Sequence, residues 1–216
     1  MTMIKNNKWK LLVSSIVILL PIVAGLFLWN KLPEQIAVHW GVDGNPDRFA
    51  GRSFAVFAPS GFMLALHWVC VIVTALDHKN RDQNGKVIGL IFWLCPFISI
   101  FMGAVVYAAA LGMEFSVISL VPAIVGILFV VIGNYMPKCK QNHTIGIRIK
   151  WTLESEANWA ATHRLCGKAW VIGGILLMLC IFLPESVTAY SVIIILSLLA
   201  IIPIVYSYVY HRRQSK

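Results

Sequence analysis

Charged residues are scarce in this chain of 216 residues, where they make up 12% of the total, and Asp and Glu together number only 9. An ordinary soluble domain carries about 25% charged residues. The deficit argues against a water-soluble protein, and the 59% share of hydrophobic residues indicates that lipid is the main solvent. The formal net charge of +9 comes from Lys and Arg that flank apolar runs, where they orient a membrane protein and meet anionic headgroups. We therefore predict contact with the bilayer and no direct binding of nucleic acid.

Cysteine chemistry is also limited, because the chain has 5 cysteines and no Cys-x-x-Cys pair. Such a set supports neither a zinc knuckle nor a disulfide framework. Cys70, Cys95 and Cys180 lie within apolar runs and are expected to act as small hydrophobic residues. Cys139 and Cys166 fall in a segment that we place in the cytoplasm, where thiols stay reduced. We predict no catalytic residue, no metal and no cofactor, and we do not expect an enzyme.

Long apolar runs dominate what is present. They predict transmembrane helices near residues 11–29, 54–76, 87–111, 118–135, 165–183 and 187–208. The first run ends in Trp29, Asn30 and Lys31 rather than at a small-residue cleavage site, which indicates an uncleaved helix rather than a signal peptide. The predicted fold class is therefore an all-α integral membrane protein with about six transmembrane helices.

The distribution of basic residues predicts the orientation, since the side that retains Lys and Arg is the cytoplasm. Of the 18 Lys and Arg residues, only Lys31, Arg48 and Arg52 lie in the first polar connection, residues 31–53. The others lie in the amino terminus, the turn 77–86, the segment 137–168 and the tail. We therefore expect both termini in the cytoplasm and the connection 31–53 outside.

The connection 31–53 is richer than a simple linker. Its Pro and Gly residues predict turns. One interpretation is a loop at the headgroup level, with Trp40 as an interfacial aromatic residue. The other is a compact extracellular lid that presents His39, Asp43 and Asp47 to a ligand. His39 and Asp43 are residue types that bind metals, but two such residues do not define a metal site.

The segment 137–168 is the longest polar stretch. Alternation from Ile145 to Trp151 predicts a short extended piece, and Thr152 is the predicted N-cap of a following helix. Glu156, Trp159, His163 and Cys166 recur at helical spacing, which predicts an amphipathic helix at the cytoplasmic interface, before the fifth span. It would serve either as a lipid anchor, with Trp159 and Arg164 at the headgroups, or as a docking surface for a cytoplasmic protein. A catalytic or metal pair of Glu156 and His163 is a third interpretation, although no HExxH spacing is present.

Within the apolar runs, His67 is the strongly polar residue nearest to a mid-span position. A proton path is one interpretation, but we expect a single hydrogen bond to a neighbouring helix, because no charged partner lies in the spans. An internal echo is also present, since Asn30 and Pro33 match Asn134 and Pro137 in spacing, and a histidine follows each proline six residues later. This echo predicts an inverted repeat of two three-helix halves.

Both polar connections resemble the SdpI family of polytopic bacterial membrane proteins. The first matches at Leu32-Pro33, His39-Trp40, Gly44 and Asp47, and is similar to the small domain of unknown function found at the front of many members. The second match is more specific and comprises Asn134, Pro137, Lys140, Asn142, Ile145-Gly146-Ile147-Arg148, Trp151-Thr152-Leu153, Trp159, Thr162-His163-Arg164 and Gly167. The predicted organisation is an N-terminal membrane region of four helices, residues 1–136, and an SdpI-like region, residues 137–216.

The resemblance implies an immunity protein that protects its cell from a secreted peptide toxin. The family's namesake counters a sporulation-delaying toxin and also holds a transcriptional repressor at the membrane. The implied toxin contacts are His39, Trp40, Asp43 and Asp47. The implied coupling or repressor-docking residues are Asn134, Pro137, Asn142, Gly146, Arg148, Trp151, Thr152, Trp159, His163 and Arg164. A small polytopic transporter or exporter and a membrane-embedded enzyme or metal-dependent protein remain alternatives.

Overall fold

The computed structural model describes residues 2–214. Within that range, six helices are long and apolar enough to cross a membrane. They are α2 (Lys8–Phe27), α3 (Arg52–Leu76), α4 (Gly85–Ala110), α5 (Val117–Tyr135), α7 (Glu156–Leu179) and α8 (Glu185–Gln214). Short 3-10 turns extend α5 through Met136–Lys138 and α7 through Cys180–Phe182. The predicted class, a multi-pass all-α membrane protein, is confirmed.

Shorter elements lie between and before these helices. They are α1 (Thr2–Asn6), the strands β1 (Gln35–Trp40) and β2 (Pro46–Gly51), a 3-10 turn (His78–Asn80) and α6 (Lys150–Glu154). The two strands pair in antiparallel fashion as a hairpin. The Pro and Gly residues of this connection predicted only turns. The strand signal is short, because Ile36, Val38 and Trp40 alternate with Gln35, Ala37 and His39 over a single six-residue strand.

The start of the fifth long helix differs from the prediction. Its N-cap is Ser155, whose side chain accepts a hydrogen bond from the Asn158 amide. The predicted N-cap at Thr152 is wrong, because Thr152 lies inside α6, where its hydroxyl accepts from the Ile149 amide and donates to the Ile147 carbonyl. The predicted extended piece is likewise shorter, since Ile149 is extended but Lys150 already begins α6.

The predicted interfacial helix is also wrong. α7 runs without interruption from Glu156 to Leu179, and Trp159, His163 and Cys166 are buried inside the protein. Trp159 is therefore not a headgroup anchor. The spacing correctly placed these residues on one face, but periodicity does not distinguish a face that meets lipid from one that meets other helices.

The chain forms two compact units. The first comprises residues 2–76 and 89–117 and contains α2, α3 and most of α4, whereas the second comprises residues 77–88 and 118–214 and contains α5, α7 and α8. The inverted repeat and the domain boundary at residue 136 stay predictions.

The core of the first unit joins the hairpin to its helices. Leu32, Ile36, Ala55, Val56 and Tyr107 form one buried cluster. The Tyr107 hydroxyl donates to the Pro21 carbonyl at 2.9 Å, and the Ser99 hydroxyl donates to the Ile18 carbonyl at 2.8 Å. These bonds link α4 to α2 within an apolar interior, where an unpaired polar group is costly.

Close helix contact organises the second unit. A Cβ added to Gly126 of α5 would clash with the Gly174 carbonyl of α7, and one added to Gly174 would clash with the Gly126 carbonyl. Gly133 of α5 and Gly167 of α7 make the same mutual contact nearer to the segment 137–168. Glycine is needed at these positions because the two backbones touch, as is common where membrane helices pack through small residues.

Candidate functional site

The hairpin carries the first set of candidate residues. His39 Nδ1 lies 2.6 Å from Asp47 Oδ1, and the two side chains are 55% and 48% exposed. The pair joins β1 to β2. The strand register explains its position, because pairing passes from His39↔Arg48 to Trp40↔Pro46 and leaves Asp47 as an extra residue on β2. Such a bulge re-aims a side chain, and here it accompanies the contact between Asp47 and His39.

A second bulge lies beside the first. Register passes from Ala37↔Phe49 to His39↔Arg48, so that Val38 is the extra residue on β1. Val38 packs against the buried cluster of the first unit. The bulge at Val38 thus contacts the helices, whereas the bulge at Asp47 is exposed.

The tip of the hairpin is held by its own polar groups. Asp43 accepts hydrogen bonds from the Asn45 side chain at 2.9 Å and from the Asn45 amide at 3.2 Å. These bonds hold the pKa of Asp43 below its ordinary value. A Cβ on Gly41 would lie 2.7 Å from Asp43 Oδ1, so a larger residue there would displace the Asp43 carboxylate. Gly44 adopts a φ of 78°, which glycine adopts without strain.

The base of the hairpin is pinned to the helices by Arg52. The Arg52 amide donates to the Glu34 carbonyl at 2.9 Å, and its Nε donates to the Pro33 carbonyl at 3.2 Å. Its guanidinium lies 5.5 Å from the centre of the Trp29 ring. Leu32 and Ile36 are buried beneath it. The structure therefore places His39, Asp43 and Asp47 exposed on a hairpin anchored at one end, with Trp40 half-buried.

The second set of candidates surrounds a network that we call the polar cluster: Asp77, Asn80, Gln83, Asn142, Thr144, Thr152, Trp159 and His163. At its centre, Asn142 is completely buried. Its amide donates to the carbonyls of Lys140 and Ile145, at 2.8 and 3.0 Å, and its oxygen accepts from the amides of Thr144 and Ile145, at 2.8 and 2.6 Å. The Asn142 side chain thus forms hydrogen bonds with backbone groups of this loop that a helix or a strand would have paired with other backbone groups.

Trp159 and His163 form the wall behind this loop. Their rings stack with centroids 4.0 Å apart. The Trp159 indole donates to the Cys139 carbonyl at 2.7 Å, and the Ile147 amide donates to His163 Nε2 at 3.1 Å. Because Nε2 accepts, the ring proton sits on Nδ1, which faces the Trp159 carbonyl at 2.9 Å. His163 therefore accepts a hydrogen bond from the loop and faces the carbonyl of Trp159 within α7.

Gly146 fits closely against that wall. Its φ is 104°, and a Cβ there would lie 2.5 Å from His163 Nε2 and 3.2 Å from the Trp159 ring. Both the backbone conformation and the space require glycine. This contact explains the Gly146, Trp159 and His163 positions of the motif together.

The turn between α3 and α4 completes the polar cluster, and no sequence pattern predicted that this turn takes part in it. Asp77 accepts from the His143 amide at 2.7 Å, and Asn80 Nδ2 donates to Thr144 Oγ1 at 2.6 Å. Gln83 pairs with the backbone of Lys140, accepting from its amide at 2.9 Å and donating to its carbonyl at 3.0 Å. The available signal was the presence of uncharged amide side chains in this hydrophilic turn, but such residues are also common in ordinary turns.

A second network was also missed. Asn158 is completely buried; its amide donates to the Ser207 carbonyl at 2.9 Å, and its oxygen accepts from the hydroxyls of Thr162 and Ser207, both at 2.9 Å. It joins α7 to α8. In an apolar interior such bonds are the alternative to unsatisfied polar groups.

The predicted docking residues divide by exposure. Asn142, Thr152, Trp159 and His163 are buried, Trp151 is half-buried against the Tyr208 ring, and Asn134, Pro137, Gly146, Arg148 and Arg164 are exposed. Pro137 also packs against Gly167. Arg148 closes the loop by donating from Nη1 to the His143 carbonyl at 2.7 Å. Only the exposed residues can meet a partner in this conformation.

His67 behaves as predicted. It is completely buried, and its Nε2 lies 2.9 Å from the Ser14 hydroxyl, which itself donates to the Leu11 carbonyl. The single bond to a neighbouring helix is thereby confirmed. Among the described residues, no group of three or more His, Cys, Asp or Glu is placed to hold a metal ion.

Apolar spans joined by an ordered hairpin and by a buried polar cluster define a multi-pass membrane protein whose distinctive residues lie in its connections. The SdpI/YfhL protein family matches residues 138–207, which contain much of the polar cluster, and the domain of unknown function DUF1648 matches residues 16–64, which contain the hairpin. Residues 138–207 of this chain are thus similar to the SdpI/YfhL family.

One similar protein has a stated role. The immunity protein SdpI of Bacillus subtilis (strain 168) is 25% identical over 205 residues, which cover 94% of this chain and 97% of that protein. The likeness thus extends over both units. No solved structure matches the chain.

Proposed function

We propose that this protein is a membrane immunity protein that protects its cell from a secreted peptide toxin. The observation that carries the proposal is similarity to an immunity protein over 94% of the chain, together with six apolar helices in the described residues 2–214. In this proposal both termini lie in the cytoplasm and the hairpin lies outside, where Lys and Arg are fewest.

The hairpin is the proposed toxin contact. His39, Asp43 and Asp47 are exposed together on it, and Trp40 lies beside them. The bulge at Asp47 and the contact between His39 and Asp47 hold these groups in position relative to one another before any ligand arrives. Preorganisation of this kind reduces the entropy lost on binding.

The second part of the proposal is a signalling role in which the segment around the polar cluster holds a transcriptional repressor. Arg148 and Arg164 are exposed there, and the buried residues of the polar cluster shape the surface that presents them. Basic side chains would favour an acidic surface on the repressor. Signalling requires that toxin and repressor prefer different arrangements of the protein.

The test is survival of toxin-sensitive cells that express the protein when they are challenged with the family's secreted toxin. We expect the natural sequence to protect, and His39→Ala to reduce protection about tenfold, because truncating a central contact typically costs more than 1 kcal/mol of binding. Arg148→Ala should retain protection but lose repressor recruitment, measured with a reporter gene.

Lys150→Ala is the matched control, since Lys150 is also basic and exposed in the same segment. Equal membrane levels of all variants must be verified. Absence of protection by the natural sequence at normal level would overturn the immunity proposal. Loss of protection in Arg148→Ala would assign that residue to immunity rather than to signalling.

A further inference from the structure

A cavity lies beneath the hairpin in the first unit. Its volume is about 40 Å³, and residues of β1, α2, α3 and α4 line it. Val38 contributes from the hairpin, whereas Ser60 and Met63 contribute from α3 and Ser99 and Met102 from α4. Met63 lies eleven residues beyond Arg52, so the cavity extends about 16 Å along α3 from the start of that helix.

The lining is apolar and carries no charged side chain. Two methionines supply flexible walls that adapt to an inserted group. The Ser99 hydroxyl donates its hydrogen bond to the Ile18 carbonyl. The Ser60 hydroxyl lies 3.5 Å from the Ser99 hydroxyl, at the limit of a hydrogen bond. The chemistry therefore favours an apolar group over a charged one, which would remain unpaired.

Val38 is the part of the hairpin that lines this cavity, and it is also the extra residue of the β1 bulge. A regular strand would place residues 37, 38 and 39 on alternating faces in register with β2. The bulge breaks that register at the residue that lines the cavity. Bulges are over-represented beside functional sites, where they re-aim a side chain.

The hairpin is anchored at its base and exposed at its tip. Its base is fixed by Arg52 and by buried Ile36, whereas Val42 at the tip is 81% exposed. A cover fixed at one end can tilt without losing its attachment. Tilting would move Val38 away from the helices and open the cavity on the side that presents His39 and Asp47.

We propose that this cavity is a specificity pocket that accepts one apolar side chain of the peptide toxin, with Val38 as its displaceable cover. The inference rests on the proposed immunity function. The volume of about 40 Å³ accommodates part of a single side chain and not a drug-sized ligand, whose pockets run to several hundred Å³. The exposed polar groups of the hairpin bind the neighbouring part of the same peptide.

Filling the cavity tests the proposal. Ser60→Leu introduces apolar bulk into the pocket, and Ser60→Val introduces less. The matched control is Gly61→Leu, because a Cβ at Gly61 meets no atom within 4 Å and the residue is exposed. Val38→Ala removes part of the cover without filling the pocket.

The measurement is binding of the sporulation-delaying toxin to the full-length protein in lipid nanodiscs, alongside protection of cells and the thermal unfolding temperature of each variant. We expect Ser60→Leu to weaken binding about tenfold or more, since loss of one apolar pocket contact costs roughly that much. Ser60→Val should have an intermediate effect. Gly61→Leu should bind as the natural sequence does, and Val38→Ala at least as tightly.

The outcomes separate the two proposals. If the natural protein binds the toxin and both Ser60 variants, folded normally, bind it equally well, the pocket is wrong and immunity stands. Equal weakening by Gly61→Leu also overturns the pocket, because bulk on the outer face would then suffice. If the natural protein neither binds nor protects, the immunity proposal fails and the pocket assignment fails with it.

Discussion

At Asn142, Asn158 and His163, completely buried polar side chains hold loops and helices that hydrophobic contact alone would leave free to slide. Each has defined partners: Asn142 bonds its own loop, Asn158 bonds α8, and His163 bonds the Ile147 amide. Within a bilayer the hydrophobic effect does not drive helices together, so directional bonds and close packing set the arrangement. Buried polar residues therefore stabilise contacts in this protein that apolar residues such as leucine would stabilise in the core of a soluble protein.

Asp77 gives a residue-level prediction. Burial raises the pKa of this carboxyl, but hydrogen bonds from the His143 and Lys79 amides outweigh that effect and hold the pKa below its ordinary value of 3.8. A carboxyl with a lowered folded-state pKa contributes stability above its unfolded pKa and loses that contribution as the pH falls through the folded value. We expect the unfolding temperature in detergent to be steady near neutral pH and to fall below about pH 4.

The variant Asp77→Asn should lower stability by about 1 kcal/mol at pH 7, because two amides lose a charged acceptor, and should reduce the acid-induced fall. Asp82→Asn is the control, since Asp82 is an exposed carboxyl in the same turn. An unchanged pH dependence in Asp77→Asn would contradict the assignment.

At the element scale, the contact of α5 with α7 is the most demanding in the second unit. Gly126 and Gly174 each place a carbonyl where the other's Cβ would be. We expect Gly126→Ala to destabilise the protein by about 1–3 kcal/mol, because the backbones must separate. The measurement is the unfolding temperature in detergent.

Gly89→Ala in α4 is the matched control, because a Cβ there meets no atom within 4 Å. This substitution should be neutral or slightly stabilising, since alanine favours helix more than glycine does. Equal loss in both variants would show that general helix effects, and not the α5–α7 contact, determine the result.

For the whole molecule, the predicted topology is testable with reporters that are active on one side of the membrane only. We expect a tag at Asn45 to report the outside and tags at Asp82 and at the carboxyl terminus to report the cytoplasm, because six spans would place successive connections on alternate sides and the side rich in Lys and Arg is the cytoplasm. Asn45 and Asp82 are both exposed, so neither tag should disturb packing. The same side for Asn45 and the carboxyl terminus would refute the six-span topology.

Prediction from sequence was accurate where one physical requirement dominated. The bilayer demands about 20 apolar residues for each spanning helix, so the long helices and the multi-pass class followed from composition and run length. His67 was assigned correctly for a similar reason, because a lone polar residue in a span must find a partner. Resemblance at Gly146, Arg148, Trp159 and neighbouring positions indicated the family, though not what those residues do.

Tertiary structure decided the roles of the polar connections. Sequence periodicity placed Trp159 and His163 on one face, but only three-dimensional contact showed that this face meets the loop at Ile147 rather than lipid. Asp77 and Gln83 join the cluster across about sixty residues of chain, through hydrogen bonds to the backbone of His143 and Lys140. Local pattern determines which segments enter the bilayer because that choice depends on each segment's own polarity, whereas the partners of a buried polar group depend on which distant segments the fold brings within 3 Å.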